Sequence, residues 1–133
     1  MPVRVILDSN FLMIPIQFHI DIFRGIDELL NQKVEPVILS PVYGEVQRIA
    51  CGRGKLAKEA RLALKIAEKS EILEVKPGPE ESADDLIARL AREWGCIVAT
   101  NDRELRRRLR SLMVPVIYLR QKCRLAIEGL EID

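Results

Sequence analysis

The sequence lacks the features that define several common classes of protein. No apolar run approaches the roughly 18 residues that a bilayer-spanning helix needs, and no basic segment followed by a cleavable apolar stretch opens the chain. The three cysteines are widely spaced and odd in number, which argues against a disulfide framework or a zinc cluster. We therefore expect a protein of the reducing cytoplasm that has no membrane partner.

Familiar motifs for metal and phosphate binding are also missing. The single histidine, His19, lies among apolar residues of helical spacing, so a structural or surface role is favoured over catalysis. No Cys-x-x-Cys pair or Walker phosphate loop is present, and residues 52–55 (Gly-Arg-Gly-Lys) form only a basic turn. Aromatic residues make up 5% of the chain, and we expect them in the core or at an interface. The chemistry must therefore come from other side chains.

The composition and patterning are those of a globular domain, which we expect to cover residues 1–133 as one unit. Hydrophobic residues make up 48% of the chain and charged residues 31%, as in ordinary globular proteins. Continuous apolar runs near residues 3–7, 37–39, 72–75, 96–99 and 114–119 predict five strands. Because the runs are continuous rather than alternating, they indicate strands buried on both faces, as in a parallel sheet.

Helical patterns separate the predicted strands. Apolar residues at helical spacing predict helices over 18–30, over 56–67 with Leu56 on the inward stripe, and over 83–94 with Gly95 as the stop. Ser40 and Pro41 predict another helix start, with serine as the capping residue and proline in the first turn. This alternation predicts an α/β sandwich around a parallel sheet.

Charge is unevenly distributed, although the formal net charge is only +1. Between residues 103 and 124 a single acid, Glu104, stands against eight basic residues: Arg103, Arg106, Arg107, Arg108, Arg110, Arg120, Lys122 and Arg124. Such a segment can hold a polyanion beside an acidic site, and a solvated helix face explains the same pattern. The charge pattern alone does not favour polyanion binding over a solvated helix face.

Two aspartates directly follow predicted strands. Asp8 comes after the first apolar run, and Asp102 comes after the run that ends at Ala99, separated from it by Thr100 and Asn101. In open parallel sheets ligands bind at the carboxyl ends of the strands, so both positions suit a ligand site. Each aspartate is also placed to cap the helix that follows it.

Glu45 and the pair Asp84-Asp85 add three more carboxylates. Glu45 falls on the predicted inward stripe of its helix, where an unpartnered charge costs several kcal/mol, so either Arg48 or a metal ion is expected to meet it. Asp84 borders the inward stripe of the 83–94 helix and receives the functional role. Ser82-x-x-Asp85 resembles a capping box, which makes Asp85 a cap or a supporting residue.

Four acids brought together would repel one another and raise their own pKa values unless a cation neutralised them. Mg²⁺ and Mn²⁺ prefer several oxygen ligands, which carboxylates supply. Such an ion can activate water and stabilise the charge on a scissile phosphate. Asp8, Glu45, Asp84 and Asp102 are therefore the predicted catalytic acids and ligands of a Mg²⁺ or Mn²⁺ site.

As an ordered set, these residues resemble the PIN-domain family. The resemblance is carried by Asp8-Ser9-Asn10, Glu45, Asp84-x-x-Ile87-Ala88 and Thr100-Asn101-Asp102, and it spans nearly the whole chain. It implies a three-layer α/β/α fold around a central, mostly parallel five-stranded sheet. It also implies Mg²⁺- or Mn²⁺-dependent cleavage of single-stranded RNA by the four acids.

Within that family the chain is similar to the PIN endonucleases of small-subunit ribosomal RNA processing, and it looks like a compact archaeal relative. Residues 8–12, 83–86, 98–110 and 114–118 carry this likeness. It implies precursor ribosomal RNA as the partner, bound through Arg103, Arg106, Arg107 and Arg110. It further implies supporting roles around the acids for Ser9, Asp85, Thr100, Asn101 and Glu104.

Other functions stay open at this point. VapC-type toxin ribonucleases have the same acids in a chain of similar length. A PIN-fold RNA-binding or assembly protein with little activity would use the basic segment and leave the acids idle. A phosphoacceptor of receiver type is disfavoured, because the first strand ends in Asp8-Ser9 rather than in an acidic pair. The oligomeric state, a homodimer included, is likewise open.

Overall fold

The computed structural model describes residues 2–130. Strands and helices follow one another as β1 (Val3–Leu7), α1 (Ser9–Leu12), α2 (Ile14–Phe18), α3 (Ile22–Leu30), β2 (Val34–Leu39), α4 (Ser40–Ala50), α5 (Lys55–Ala67), β3 (Glu71–Leu73), α6 (Ala83–Trp94), β4 (Ile97–Ala99), α7 (Arg103–Ser111), β5 (Val116–Arg120) and β6 (Arg124–Glu128). Helices cover the sheet on both faces, so the expected three-layer α/β/α arrangement is confirmed.

The sheet has the strand order β3-β2-β1-β4-β5-β6. Its first five strands in this order run parallel, as the continuous apolar runs predict. The sixth strand, β6, pairs antiparallel with β5 and extends the expected five-stranded sheet by one. It carries a weak sequence signal because it is an edge strand in which Leu125 alone is buried, between the exposed Arg124 and the half-buried Ala126.

Burial follows the central strands and the inner faces of the helices. Residues 5–7 of β1, 37–39 of β2 and 97–99 of β4 are all buried, which explains their unbroken apolar sequence. Helix α3 contributes Ile22, Ile26 and Leu30 to the core. Helix α6 contributes residues 86–88, 90 and 91, as its apolar stripe predicts. The core therefore holds β1 rigidly in the middle of the molecule.

The helix predicted over residues 18–30 is present but begins only at Ile22, because the chain breaks after Phe18, the last residue of α2. His19 adopts a left-handed conformation with φ 57° and ends α2, and it is exposed, as favoured from the sequence. Asp21 then caps α3, its side chain accepting a hydrogen bond from the backbone N–H of Arg24 at 3.1 Å. The apolar spacing continues across the break, which is why the periodicity alone did not reveal it.

Ser40 does not cap α4, contrary to the sequence-based expectation. Leu39 occupies the capping position without a side-chain hydrogen bond, and Ser40 is already helical. The Ser40 hydroxyl instead accepts from the backbone N–H of Val75 at 3.0 Å and donates to the carbonyl of Val75 at 3.2 Å. Ser40 therefore joins the end of β2 to the segment that follows β3.

Helix α5 buries alanines where a larger inward stripe was expected. Its buried side chains are Ala57, Ala60, Ala63 and Ala67, whereas Leu56 is 53% exposed. Small side chains allow α5 to approach α4 closely, and the Arg61 guanidinium adds a 2.8 Å hydrogen bond to the carbonyl of Ala50. The α4–α5 hairpin is thus a firmly packed unit.

Two further expectations concern membrane helices and disulfides. Within residues 2–130 no helix is both long enough and apolar enough to span a bilayer. The three cysteines are free thiols, as their spacing indicates.

Candidate active site

The site lies where the strand order of the sheet reverses. β1 pairs with β2 on one side and with β4 on the other, and in open α/β sheets ligands bind in the crevice outside the carboxyl ends of such strands. Asp8 directly follows β1, and its backbone N–H donates to the carbonyl of Ala99 at the end of β4, at 3.0 Å. The turn from Thr100 to Asp102 therefore lies beside Asp8, as the two strand-end positions predict.

Asp8 is a buried carboxylate that its neighbours hold in one orientation. The residue is only 5% exposed. Its Oδ1 accepts from the backbone N–H of Ser9 at 2.8 Å. Its Oδ2 accepts from the Thr100 hydroxyl at 2.7 Å and from the Asn10 side-chain amide at 3.2 Å. Asp8 also caps the four-residue helix α1, so the capping role and the position in the crevice occur together.

Uncharged polar side chains tie the ends of three strands together around Asp8. Asn10 Oδ1 accepts from the backbone N–H of Asn101 at 2.9 Å, and Asn101 Oδ1 accepts from the backbone N–H of Leu119 in β5 at 2.9 Å. Thr100 and Asn101 were expected to be supporting residues, whereas no role was predicted for Asn10. Its signal was present, since an amide two residues after a strand-end aspartate can reach a neighbouring strand.

Asp102 sits at the start of α7 on the other side of the crevice. It is half-buried, and its Oδ1 accepts from the backbone N–H groups of Glu104 at 2.9 Å and Leu105 at 3.2 Å. Its own N–H donates to the Thr100 hydroxyl at 3.1 Å. Both capping bonds use Oδ1, so capping does not engage Oδ2. Glu104 itself is exposed on the first turn of α7.

Glu45 and Asp84 reach the same edge from two helices. Glu45 is half-buried on α4 between the buried Val42 and Val46. Of the two partners considered for it, Arg48 is not used, because the ion pairs formed within residues 2–130 include none between these side chains. Asp84 is exposed in the first turn of α6.

The pKa shifts of Asp8 and Asp84 indicate that the four carboxylates are close enough to repel one another. Burial raises the pKa of Asp8, the hydrogen bonds from Thr100 and Ser9 lower it, and the charges of Glu45 and Asp102 raise it further. Desolvation of the Asp84 carboxyl group raises the pKa of Asp84, and the charges of Asp8 and Asp102 add to this increase. The structure therefore brings Asp8, Glu45, Asp84 and Asp102 into one acidic crevice, with excess negative charge.

Asp85 has a different environment from that of Asp84. It forms a capping box with Ser82, in which each backbone N–H donates to the other residue's side chain at 3.1 Å. Its Oδ1 also accepts from Arg108 at 2.6 Å, and this contact lowers the pKa of Asp85. The sequence-based separation of the pair, with Asp85 as the cap, agrees with these contacts.

The carboxylate oxygens of the acidic crevice suit a hard divalent cation, although they do not form a preassembled metal site. Over residues 2–130, no three His, Cys, Asp or Glu side chains are close enough together to hold a metal by themselves. Mg²⁺ usually retains several water ligands and binds through one or two carboxylates, so an open crevice of this kind can accept it. The raised pKa values of Asp8 and Asp84 show carboxylates without enough positive charge beside them. The residues present therefore fit Mg²⁺ or Mn²⁺ with water completing the coordination.

A basic cleft of about 420 Å³ runs beside α7. It is lined by one carboxylate, that of Glu128, and four guanidinium groups, those of Arg103, Arg106, Arg107 and Arg110. The fold thus brings together the four arginines that are predicted to bind RNA.

Two of these arginines are also held by the β5–β6 hairpin. The Arg106 guanidinium contacts the Glu128 carboxylate at 3.0 and 3.1 Å and stacks 3.7 Å from the centre of the Tyr118 ring. Arg110 lies 3.8 Å from Glu128 and donates to the carbonyl of Val114 at 3.2 Å. Because β6 was not predicted, the contacts of Arg106 and Arg110 with Glu128 were not foreseen.

A mostly parallel α/β sheet with an acidic crevice at its reversal point defines a broad class of ligand-binding and hydrolytic domains. Comparison with known proteins narrows that class. The family described as "PIN like domain" matches residues 5–122, nearly the whole chain. The protein belongs to this PIN-like family, as its motifs indicate.

Relatives within the family fall into two groups. The chain is 35% identical to ribonuclease VapC4 of Methanocaldococcus jannaschii, over 96% of this chain and 98% of that protein. It is 34% identical to the rRNA-processing protein FCF1 of Saccharomyces cerevisiae, over 84% of this chain but only 56% of that protein. The chain thus spans little more than half of the length of FCF1, and nearly the full length of VapC4.

Solved structures give the same fold. The PIN domain endonuclease Utp24 superposes with a TM-score of 0.81 at 32% identity, covering 97% of this chain and 93% of that one. VapBC2 from Rickettsia felis superposes with a TM-score of 0.58 at 21% identity, which supports the fold alone. The three-layer PIN architecture is therefore shared with both groups.

Proposed function

We propose that this chain, as one domain over residues 1–133, is a cytoplasmic Mg²⁺- or Mn²⁺-dependent endoribonuclease that hydrolyses RNA phosphodiester bonds. One observation carries the proposal. Asp8 is buried at the reversal point of the sheet, and the negative charges of Glu45 and Asp102 raise its pKa still further. A fold does not keep a buried carboxylate beside other acids for stability, because their repulsion is unfavourable. A bound cation turns this unfavourable arrangement into a binding site.

Each group of residues has a distinct task in this proposal. Asp8, Glu45, Asp84 and Asp102 hold the cation, which when bound would activate water and neutralise charge on the scissile phosphate. Thr100 and Asn10 orient Asp8, and Asn101 fixes the turn that carries Asp102. The four arginines of the α7 cleft hold the RNA strand by its phosphates.

Precursor ribosomal RNA is the proposed substrate. The likeness to FCF1 and to Utp24 supports it, because both are similar to this chain over more than four fifths of its length and are named for rRNA processing or endonuclease activity. The full-length similarity to VapC4 favours a second candidate, a toxin ribonuclease. Crosslinking the protein to RNA in its native cells, followed by sequencing of the attached RNA, separates the two. Recovery of precursor ribosomal RNA supports the first candidate, and recovery of other RNAs the second.

The decisive variants are Asp8→Asn and Asp85→Asn. Asparagine has nearly the same size as aspartate but lacks the charge that a hard cation needs, and it replaces one of the two accepting oxygens of Asp8 with an amide group that donates. Because a cation site contributes several kcal/mol to the barrier reduction, we expect Asp8→Asn to lower Mn²⁺-dependent cleavage of single-stranded RNA by at least roughly 100-fold. Asp85→Asn should cost far less, since Asp85 is engaged with Ser82 and Arg108.

Melting curves of both variants provide the control for folding. Asp8→Asn should remain folded without metal, because removing a buried charge that its neighbours repel offsets the hydrogen bonds that the amide group cannot accept. Near-normal turnover by Asp8→Asn would falsify the proposed site. Absence of cleavage by the unaltered protein in Mn²⁺ would instead favour the RNA-binding or assembly alternative. Equal losses of cleavage in Asp8→Asn and Asp85→Asn would show that the assignment of the cation to Asp84 and of the capping role to Asp85 is wrong.

A further inference from the structure

Helix α5 presents a basic face to solvent. Lys55, Lys58 and Lys65 are exposed, and their spacings of three and seven residues place them on one side of the helix. The buried alanines at 57, 60, 63 and 67 occupy the opposite side, against the rest of the fold. We refer to the side formed by Lys55, Lys58 and Lys65 as the outer face of α5.

The chain around this face carries a large excess of positive charge. Residues 48–69 contain two acids, Glu59 and Glu68, and seven basic residues: Arg48, Arg53, Lys55, Lys58, Arg61, Lys65 and Lys69. The whole chain, by contrast, has a net charge of only +1. This surface includes the basic turn at residues 52–55, for which the acidic crevice offers no role.

Several exposed basic residues on other helices are paired with acids. On α3, Arg24 pairs with Glu28 at 3.1 Å, and on α6 Arg89 contacts Glu93 at 3.6 Å. On α7, Arg106 pairs with Glu128 as described above. The ion pairs formed within residues 2–130 include none with a lysine of the outer face of α5. An ordinary solvated helix face mixes both signs and forms such pairs, so the outer face of α5 differs from the paired faces of α3 and α6 and resembles the arginine cleft of α7 in carrying some basic side chains that form no ion pair within the described part of the chain.

A second copy of the chain is a poor occupant for this face. A two-fold interface places the same patch on both subunits, so the lysines of one copy would oppose those of the other. Leu62, which is 44% exposed, lies between Lys58 and Lys65 in the sequence. It adds an apolar contact to the outer face of α5 and leaves the net positive charge of the face unchanged. A polyanion therefore complements this face better than another copy does.

The position of α5 relates this face to the acids. β2 leads directly into α4, which carries Glu45, and α5 packs against α4 and holds its carboxyl end through the bond from Arg61 to Ala50. The arginine cleft lies on the other side of β1, beyond β4, between α7 and the β5–β6 hairpin. α4 and α5 therefore stand on the β2 side of the acids, opposite the arginine cleft, and an RNA strand that crossed the acids from that cleft would extend toward them.

We propose that the outer face of α5 binds the phosphate backbone of RNA that extends beyond the acidic crevice on its β2 side. This inference rests on the proposed function, because it takes RNA as the substrate. The face and the arginine cleft then hold the strand on the two sides of the scissile bond. Recognition is electrostatic and independent of base sequence, as lysine contacts to phosphates are.

The test removes two charges from the face, with Lys58→Ala and Lys65→Ala in one variant. Binding to single-stranded RNA of increasing length is measured without divalent cation, so that the RNA stays intact, over a range of salt concentrations. Losing two phosphate contacts makes the negative slope of log K against log salt shallower by about 1.4. At 0.1 M salt this change corresponds to roughly 25-fold weaker binding. We expect this loss for long RNA only, because short RNA covers the crevice without reaching α5.

Matched variants keep the result specific. Lys33→Ala with Arg92→Ala removes the same charge from exposed positions near the amino edge of the sheet and should leave the slope unchanged. Lys58→Arg with Lys65→Arg keeps the charge and should bind like the unaltered protein. Melting curves identify any variant that fails to fold. If the double alanine variant fails to fold, RNA binding by a Lys58→Gln single variant is compared instead with that of the Lys58→Arg, Lys65→Arg variant.

Two outcomes overturn the inference. The first is that the Lys58→Ala, Lys65→Ala variant binds long RNA with the same affinity and the same salt dependence as the Lys33→Ala, Arg92→Ala control. The second is self-association of the unaltered chain in light scattering that the lysine variant abolishes, since this would assign the face to a second copy. Failure of the proposed function is seen separately, as absence of Mn²⁺-dependent cleavage by the unaltered protein on short RNA.

Discussion

Thr100 is fully buried, and its hydroxyl group holds two acids in place at once. It donates to Asp8 Oδ2 at 2.7 Å and accepts from the backbone N–H of Asp102 at 3.1 Å. Metal ligands depend on such outer partners for their orientation. The hydroxyl group of Thr100 is therefore expected to matter for cation binding although it touches no cation.

Thr100→Val tests this role, because valine has nearly the same shape without the hydroxyl group. The loss leaves a buried carboxylate oxygen and a backbone N–H with one partner fewer, so we expect the free energy of unfolding to fall by about 1–3 kcal/mol. Affinity for Mn²⁺ should fall by about 10- to 100-fold. Denaturant unfolding and metal titration measure the two effects, and Thr100→Ser is the control that keeps the hydroxyl group. Unchanged Mn²⁺ affinity in Thr100→Val would refute the positioning role.

Arg106 and Arg107 are neighbours in the same cleft with different attachments. Arg107 is exposed, whereas Arg106 bonds to Glu128 and stacks on Tyr118. We expect Arg107→Ala to weaken RNA binding and to lower its salt slope by about 0.7, with the melting temperature unchanged. Arg106→Ala should lower the melting temperature as well, because it also releases the hairpin. If both variants change only stability, the cleft does not bind RNA.

At the scale of elements, sequence reasoning succeeded where burial is high. Strands β1, β2 and β4 are apolar on both faces, and α6 has a stripe with a clear start and stop, so their patterns were visible. β6 was missed because an edge strand needs few apolar residues. The acids could be named because they stand out at strand ends and on an apolar helix face. Asn10 was missed although it lies two residues after Asp8, because its partner Asn101 is 91 residues away in the sequence. Glu128 could not be named, because it lies on the unpredicted β6, 22 residues from its partner Arg106.

The entry to α6 is pH-sensitive through Glu81. This carboxylate accepts two hydrogen bonds from Arg89, at 2.9 and 3.0 Å, and one from the backbone N–H of Gly78, at 3.0 Å. These contacts lower the pKa of Glu81 from 4.5 to about 2. Because the folded-state pKa is depressed, the contribution of Glu81 to stability is present above about pH 4.5 and is lost as the pH falls towards 2.

We therefore expect Glu81→Gln to lower the melting temperature at pH 6, and the difference from the unaltered protein to shrink as the pH falls below 4.5. Melting curves recorded at intervals over this range test the expectation. Glu93→Gln is the control, since Glu93 contacts the same arginine only at 3.6 Å and should show a smaller difference. A difference that stays constant with pH would show that the effect of Glu81 is not due to its charge.

For the whole molecule, the proposed cation site would link cation binding to folding stability. A ligand that binds only the folded state stabilises it, by about 2.7 kcal/mol when its concentration is 100 times Kd. We expect Mn²⁺ to raise the melting temperature of the unaltered protein and to have little effect on Asp8→Asn. The effect should weaken at lower pH, because protons compete with the cation for Asp8 and Asp84, whose pKa values are raised. An unchanged melting temperature in millimolar Mn²⁺ would count against a metal site.

The central position of β1 has a consequence for synthesis on the ribosome. Asp8 is among the first residues to be made, but its hydrogen-bond partner Thr100 follows 92 residues later, and β1 is not flanked on both sides until β4 exists. Contacts so distant in sequence form late, because the intervening chain must first be closed into a loop. A nascent chain shorter than about three quarters of the protein therefore has no assembled crevice. The acidic crevice would therefore assemble only after the chain has been made past β4 and Asp102.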